Sequence, residues 1–248
     1  MSRLITILCI LALNVSCSVR PEDLSESTPI EDIMELAERA KGRGSFDEAG
    51  DFYMEIDRLY PYSDESRVAL KEAMKAYHED SDLLNARLSA QRYLTLYPNG
   101  NDAAFSRYII GLSYFDSIVD VQRDQGAAWH AVEEFNLLIE LFPDDKYAEI
   151  ARKKIIIANS QLAGQEMAVG RYYMKREDYL AALNRFTAVT EDYSDTIFEV
   201  EALYRLTEAY TALGLETLAE SNNKELQEKY PHSSWALKSK KLVDIFAE

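Results

Sequence analysis

The sequence predicts an all-α superhelix of five helix pairs followed by a C-terminal capping helix. Five times in the 248 residues, an alanine stands eleven positions before an aromatic residue that proline or serine follows directly. These alanines are Ala49, Ala86, Ala131, Ala182 and Ala219. Four of the five aromatics precede a proline, and Ser, Asp or Asn follows each aromatic within three residues. Because proline cannot continue a helix and short polar side chains cap a new one, each aromatic marks the end of a pair.

Each unit resembles the tetratricopeptide repeat, a helix–turn–helix motif of about 34 residues. The fourth unit shows the register best, with a small residue, Gly170, twelve positions before Ala182. A small residue at this position lets the two helices of a pair cross closely. The repeats are expected near residues 30–61, 67–98, 104–143, 146–194 and 200–231, and the capping helix at 233–246.

Two departures from the regular spacing distinguish this chain. Twenty residues separate Gly111 from Ala131, where twelve are expected, so the third repeat carries an eight-residue insertion around the segment DSIVDVQRDQG. The stretch from Tyr147 to Lys175 contains no proline and keeps a helical apolar rhythm. It predicts one long helix that leads into the fourth repeat.

The N-terminal segment predicts a lipoprotein signal. Residues 1–16, MSRLITILCILALNVS, contain a short apolar run after one arginine, and Ser16 precedes Cys17 as in a lipobox, although Asn14 departs from the usual pattern. Cleavage would leave Cys17 as the first residue and the acceptor of the lipid, followed by a flexible tether over 17–29. Ser18, in place of an aspartate, favours the outer membrane. The alternative is an ordinary signal peptide or an uncleaved anchor, with Cys17 an incidental thiol.

Composition excludes several classes of function. Lys and Arg total 27 against 43 Asp and Glu, a formal net charge of −16, which argues against nucleic-acid binding. None of the motifs GxGxxG, GxxxxGK(S/T), GxSxG or HExxH occurs, and no pair of carboxylates stands out as an acid–base couple. The three histidines, His78, His130 and His232, lie far apart in the sequence and lack cysteine partners. We therefore expect no enzymatic activity, no metal site and no cofactor.

The first helices of such repeats line a concave face that can hold a peptide. From the register, the first three repeats place seven side chains there: Met34, Lys71, Lys75, His78, Phe105, Tyr108 and Leu112. Two lysines one helical turn apart, beside aromatic and apolar groups, suit an extended peptide that carries an aromatic residue and a carboxylate. The alternative is that Lys71 and Lys75 only balance acidic neighbours such as Glu72 and Glu79.

A lipobox cysteine, five repeats, an insertion in the third and a long helix into the fourth together resemble the BamD family, lipoproteins of the outer-membrane β-barrel assembly machine. The resemblance covers essentially the whole chain. The segments that carry it are RLYPYS (58–63), AYHEDSDLLNA (76–86), RYIIGLSYF (107–115), LFPDDKYAEIARKKI (141–155) and VGRYYMKREDYLAALNRF (169–186), with Arg123 and Asp124 in the insertion. Asn14, and Ser194 in place of a proline, depart from the family pattern.

The resemblance implies a non-enzymatic role on the periplasmic face of the outer membrane. Such a protein would bind the periplasmic domains of BamA, act beside the other lipoproteins of the complex, and help to receive unfolded outer-membrane β-barrel proteins. In the family an arginine in the second helix of repeat four pairs with a carboxylate of BamA, and the matching residue here is Arg185. From the residues alone, Arg185 could instead balance an acid such as Glu191.

A different class of function also fits the repeats. The chain could be a periplasmic adaptor lipoprotein for cell-wall enzymes or for envelope constriction. Such relatives often begin with a coiled coil, and residues 18–29 are too short and proline-broken to form one.

Overall fold

A computed structural model describes residues 19–118 and 125–244 of the chain. Within these ranges the protein consists of eleven α-helices and a short 3-10 helix at Pro21–Asp23, without β-strands. The helices are α1 (Ile30–Gly42), α2 (Phe46–Leu59), α3 (Asp64–Glu79), α4 (Leu83–Leu96), α5 (Ala103–Asp116), α6 (Gly126–Leu141), α7 (Lys146–Lys175), α8 (Tyr179–Asp192), α9 (Glu199–Ala212), α10 (Glu216–Lys229) and α11 (Ser234–Val243). Outside the described residues lie the predicted signal peptide, Cys17, most of the predicted insertion and residues 245–246 of the predicted capping helix.

The helices stack in chain order as five antiparallel pairs, α1–α2 through α9–α10. Each helix from α1 to α10 packs on the next one along the chain. The last helix, α11, lies against both α9 and α10 and covers the end of the stack. The predicted all-α superhelix of five pairs with a C-terminal capping helix is therefore confirmed.

The second helix of every pair ends at the aromatic residue of the register. All five of these residues have φ between −129° and −135° and ψ between 35° and 60°, and each backbone N–H donates to the carbonyl four residues earlier. The next helix then begins at a polar cap in several repeats. The side chains of Ser63, Asp145 and Ser233 accept hydrogen bonds from backbone N–H groups in the first turns of α3, α7 and α11. The same stop thus ends the second helix of every pair, and a side-chain cap starts three of the five helices that follow.

Close helix crossings require glycine at two of the predicted small-residue positions. A Cβ added to Gly111 in α5 would lie 2.6 Å from the Phe135 ring of α6. A Cβ on Gly170 in α7 would come even closer to the Phe186 ring of α8. The expectation that a small residue permits these crossings is confirmed, because a side chain at either position would overlap the aromatic ring of the partner helix.

Helix α7 is 30 residues long and joins two separate parts of the core. Its first half contributes Ala151 to a cluster with Phe135 of α6. Its second half contributes Met167 to a cluster with Phe186 of α8 and Leu206 of α9. One continuous helix thus fixes the third pair relative to the fourth.

Part of segment 17–29, predicted to be a flexible tether, packs against the first pair. Leu24 is buried in the N-terminal core. The Tyr60 hydroxyl at the end of α2 reaches the carbonyl oxygens of Thr28 at 2.6 Å and Glu26 at 3.0 Å. A single buried leucine leaves no periodic pattern in the sequence, so this anchoring was not predicted.

Candidate partner-binding surfaces

Arg185 lies on the outer surface of α8, in the fourth pair. Its neighbour Phe186 is buried. Because successive residues of a helix point in different directions, Arg185 faces away from that core, and 45% of its side chain is exposed. Its guanidinium Nη1 lies 3.2 Å from a carboxylate oxygen of Glu166 on α7. The partner is therefore Glu166 from the neighbouring helix, and not Glu191 on α8 itself. An exposed pair of this kind is weak, so a carboxylate from another protein can compete for the guanidinium.

Both lysines of the predicted peptide groove form ion pairs within the chain. Lys71 Nζ lies 2.5 Å from a carboxylate oxygen of Asp102, which immediately precedes α5. Lys75 Nζ lies 2.5 Å from Glu72, and Lys41 of α1 reaches the same carboxylate at 3.1 Å. Glu72 is one of the acidic neighbours that the sequence offers as a partner, whereas Asp102 was not predicted because it belongs to the next repeat.

These ion pairs shift the pKa values of Glu72 and Lys71. Burial alone would raise the pKa of Glu72, but hydrogen bonds and charge from Lys75 and Lys41 outweigh it and hold the pKa below its usual range. The hydrogen bond to Asp102 raises the pKa of Lys71. Lys71 therefore stays cationic at neutral pH, as a site for carboxylates requires.

The remaining predicted groove residues differ in their exposure. Phe105 and Leu112 are each 9% exposed and belong to the core, so they offer little surface to a ligand. Tyr108 is half-buried, and its ring stacks on Tyr147 of α7 at 4.9 Å between centroids. Helix α5 packs against α7 as well as α6. The aromatic side chains of α5 are therefore only partly available for contact with a ligand.

Two further groove residues lie at the edges of this surface. Met34 of α1 is half-buried against the N-terminal core. The Nε2 atom of His78, near the end of α3, lies 2.8 Å from a carboxylate oxygen of Asp116 in α5. Together with Lys71, Lys75 and Tyr108, they form the part of the predicted groove that a ligand can reach.

A second polar surface lies between the first helices of pairs four and five. It contains Arg171 and Lys175 from the end of α7, and Arg205 from α9. None of these residues was predicted as part of a site from the sequence. The repeat register does indicate Arg171, because this residue stands eleven positions before Ala182, the same distance that separates Lys75 from Ala86.

Two further properties concern residues 19–118 and 125–244 as a whole. No group of three or more His, Cys, Asp or Glu side chains in that part of the chain is placed to hold a metal ion. None of the helices described there combines the length and apolar character that a membrane span needs.

Comparison with known proteins identifies relatives over most of the chain. Residues 27–226 match the family described as outer membrane lipoprotein, YfiO. A Caulobacter vibrioides protein named outer membrane protein assembly factor BamD is 36% identical over 225 residues, which are 91% of this chain and 74% of that protein. A Rickettsia prowazekii protein of the same name is 39% identical over 167 residues, 67% of this chain and 64% of that protein.

Similarity to solved structures is weaker. The crystal structure of the MamA protein matches with a TM-score of 0.36 and 17% sequence identity, over 81% of this chain and 91% of that chain. The description of the fold therefore rests on the helices themselves.

Proposed function

Because the chain belongs to the YfiO family of outer membrane lipoproteins, to which the BamD resemblance also points, we propose that it is a non-enzymatic component of the outer-membrane β-barrel assembly complex. The observation that carries this proposal is the similarity to a protein named as an assembly factor over 91% of the chain. A stack of helix pairs with charged and aromatic side chains on its surfaces suits a protein that binds other polypeptides. The protein would bind BamA, work with the other lipoproteins of the complex, and help to receive and insert unfolded outer-membrane proteins.

The proposed location is the periplasmic face of the outer membrane. A lipid on Cys17 would hold the solenoid there, since two or more acyl chains at about 0.8 kcal/mol per buried CH₂ give a lasting attachment. Leu24 and the carbonyls that Tyr60 contacts would then keep the first pair within a few residues of the anchor.

Arg185 is the proposed contact to BamA. On binding, Arg185 would give up its exposed ion pair with Glu166 and form a new ion pair with a BamA carboxylate. The new pair would be shielded from water at the interface. Charge-assisted hydrogen bonds from arginine to carboxylate are strongest in such surroundings.

Arg185→Glu is expected to weaken binding of the purified periplasmic domains of BamA about tenfold, because it replaces attraction by repulsion. Surface plasmon resonance would measure the affinity, and circular dichroism would show that the helices persist. Glu166→Gln is the matched control, since it removes the internal partner and leaves the arginine, so BamA should bind it at least as tightly. Unchanged affinity in Arg185→Glu would reject this role for Arg185.

The assembly function itself is tested by isolating the tagged chain from mildly solubilised envelopes and identifying the proteins that accompany it. A large outer-membrane barrel protein with periplasmic repeat domains, recovered near one-to-one, would support the proposal. Recovery of peptidoglycan enzymes or constriction proteins, without such a barrel, would favour the adaptor function instead.

The reachable part of the N-terminal groove is the proposed site for the C-terminal strand of an unfolded barrel protein. Such a strand ends in an aromatic residue with a free carboxylate. The carboxylate would replace Asp102 or Glu72 at the two lysines, and the aromatic ring would lie near Tyr108.

Lys71→Glu combined with Lys75→Glu is expected to weaken binding of a barrel C-terminal peptide about three- to tenfold, the range that two exposed ion pairs supply. Fluorescence anisotropy of a labelled peptide would measure this change. Lys153→Glu is the control, because this exposed lysine of α7 also pairs with a glutamate, Glu149, but lies outside the groove. Equal peptide binding by the double variant and the wild type would leave the groove without support.

A further inference from the structure

A pocket of about 380 Å³ lies between the end of α7, the start of α8 and the facing side of α9. We propose that this pocket binds an extended polypeptide segment through one of its carboxylates. Arg171, Lys175 and Arg205 hold that carboxylate. The site is separate from the N-terminal groove and from Arg185 on the outer surface of α8.

One glutamate positions the two guanidinium groups of the pocket. Glu201 of α9 accepts from Arg171 Nη1 at 3.2 Å and from Arg205 Nε at 3.3 Å. Arg205 also donates through Nη1 to Glu208 at 2.8 Å. Because both arginines are fixed by these bonds, a ligand would order few side chains on binding, and that entropic cost stays small.

The charges around the pocket favour a single negative charge. Three cationic side chains face two carboxylates, those of Glu201 and Glu208, which leaves an excess of one positive charge in a chain of net charge −16. Lys175 is exposed and forms no ion pair with any residue of the described ranges. One carboxylate from a ligand would neutralise this excess positive charge. A phosphate dianion would instead face repulsion from both glutamates.

The surface beside the pocket suits the residues that flank such a carboxylate. Met174 lines the pocket with an apolar side chain. Next to Arg205, the rings of Tyr204 and Trp235 lie 5.0 Å apart, and the Arg205 guanidinium lies 5.6 Å from the centre of the Trp235 ring. Aromatic and apolar groups next to fixed cations fit an acidic residue with apolar neighbours in an extended peptide.

The test uses the full chain and two acetylated, amidated peptides, Gly-Ser-Leu-Glu-Leu-Ser-Gly and its twin with glutamine for glutamate. By isothermal titration calorimetry, the glutamate peptide is expected to bind at least about tenfold more tightly than the twin, since charge-assisted bonds to the arginines are lost with glutamine. Lys175→Ala is expected to reduce the affinity for the glutamate peptide about three- to tenfold. This variant breaks no ion pair, so its folding should match that of the wild type.

Arg176→Ala is the matched control, because Arg176 is exposed at the same end of α7 but contacts Tyr172 and does not line the pocket. Its affinity for the glutamate peptide should equal that of the wild type. Equal binding of the two peptides would overturn the proposal, and so would undiminished binding by Lys175→Ala. Displacement of the peptide by inorganic phosphate, at concentrations where acetate has no effect, would also contradict it, because the pocket would then select phosphate.

Discussion

Replacing Phe186 by alanine is expected to lower the free energy of unfolding by about 3–5 kcal/mol. The Phe186 side chain is 0% exposed and packs between Gly170 of α7 and the residues of α9. Its removal would leave a cavity at the crossing of α7 and α8, and glycine has no side chain that could fill it. Urea unfolding followed by circular dichroism would measure the loss, and hydrogen exchange would show whether the amides of α8 lose protection first.

Asn184→Ala provides the control on the same helix, since Asn184 is exposed and the change should stay within about 0.5 kcal/mol. A double-mutant cycle with Gly170→Ala tests the contact itself. Alone, Gly170→Ala should overpack the crossing and lower the free energy of unfolding by about 1–3 kcal/mol. The higher helix propensity of alanine would offset up to about 1 kcal/mol of this loss. In the Phe186→Ala background the new methyl group has room, so the double variant should lose less than the sum of the single losses. Strict additivity would mean that the two residues do not touch.

Asp57→Ala is expected to lower the free energy of unfolding by about 2–3 kcal/mol. The Asp57 side chain, in α2, is 5% exposed; it accepts a hydrogen bond from Ser66 Oγ of α3 and another from Arg92 Nε of α4, both at 2.7 Å. Removal of the carboxylate leaves the fully buried Ser66 hydroxyl without this acceptor. Arg92 contributes less to the loss, because 40% of its side chain is exposed and water can replace the carboxylate.

Asp57→Asn separates the two contributions, since it keeps an oxygen for Ser66 and removes the charge that faces Arg92. We expect this variant to lose less than half of what alanine loses. Asp195→Ala, an exposed aspartate after α8, should change stability by no more than about 0.5 kcal/mol. A thermal melt of Asp57→Ala that coincides with the wild type would show that this cluster does not hold the first two pairs together.

The candidate sites were only partly predictable. The register correctly indicated which turn of α3 carries Lys71 and Lys75, because the position of a side chain on its own helix follows from periodicity. It placed Phe105 and Leu112 on an open face, whereas both are buried in the N-terminal core, and the Phe105 ring also packs on Tyr147 of α7. Such burial depends on contacts between neighbouring pairs, which the position of a residue on its own helix does not reveal.

What the sequence by itself determined is the repeating fold: five helix pairs, their aromatic ends, and close crossings such as that at Gly170. These features depend on local chemistry, namely which residues stop, cap or narrow a helix. Only the tertiary structure decided which charged groups meet. Arg185 pairs with Glu166, Lys71 with Asp102, and Arg171 with Glu201, each across two elements. Such pairs depend on the angle and offset at which helices cross, and these are set by the packing of all the side chains between them.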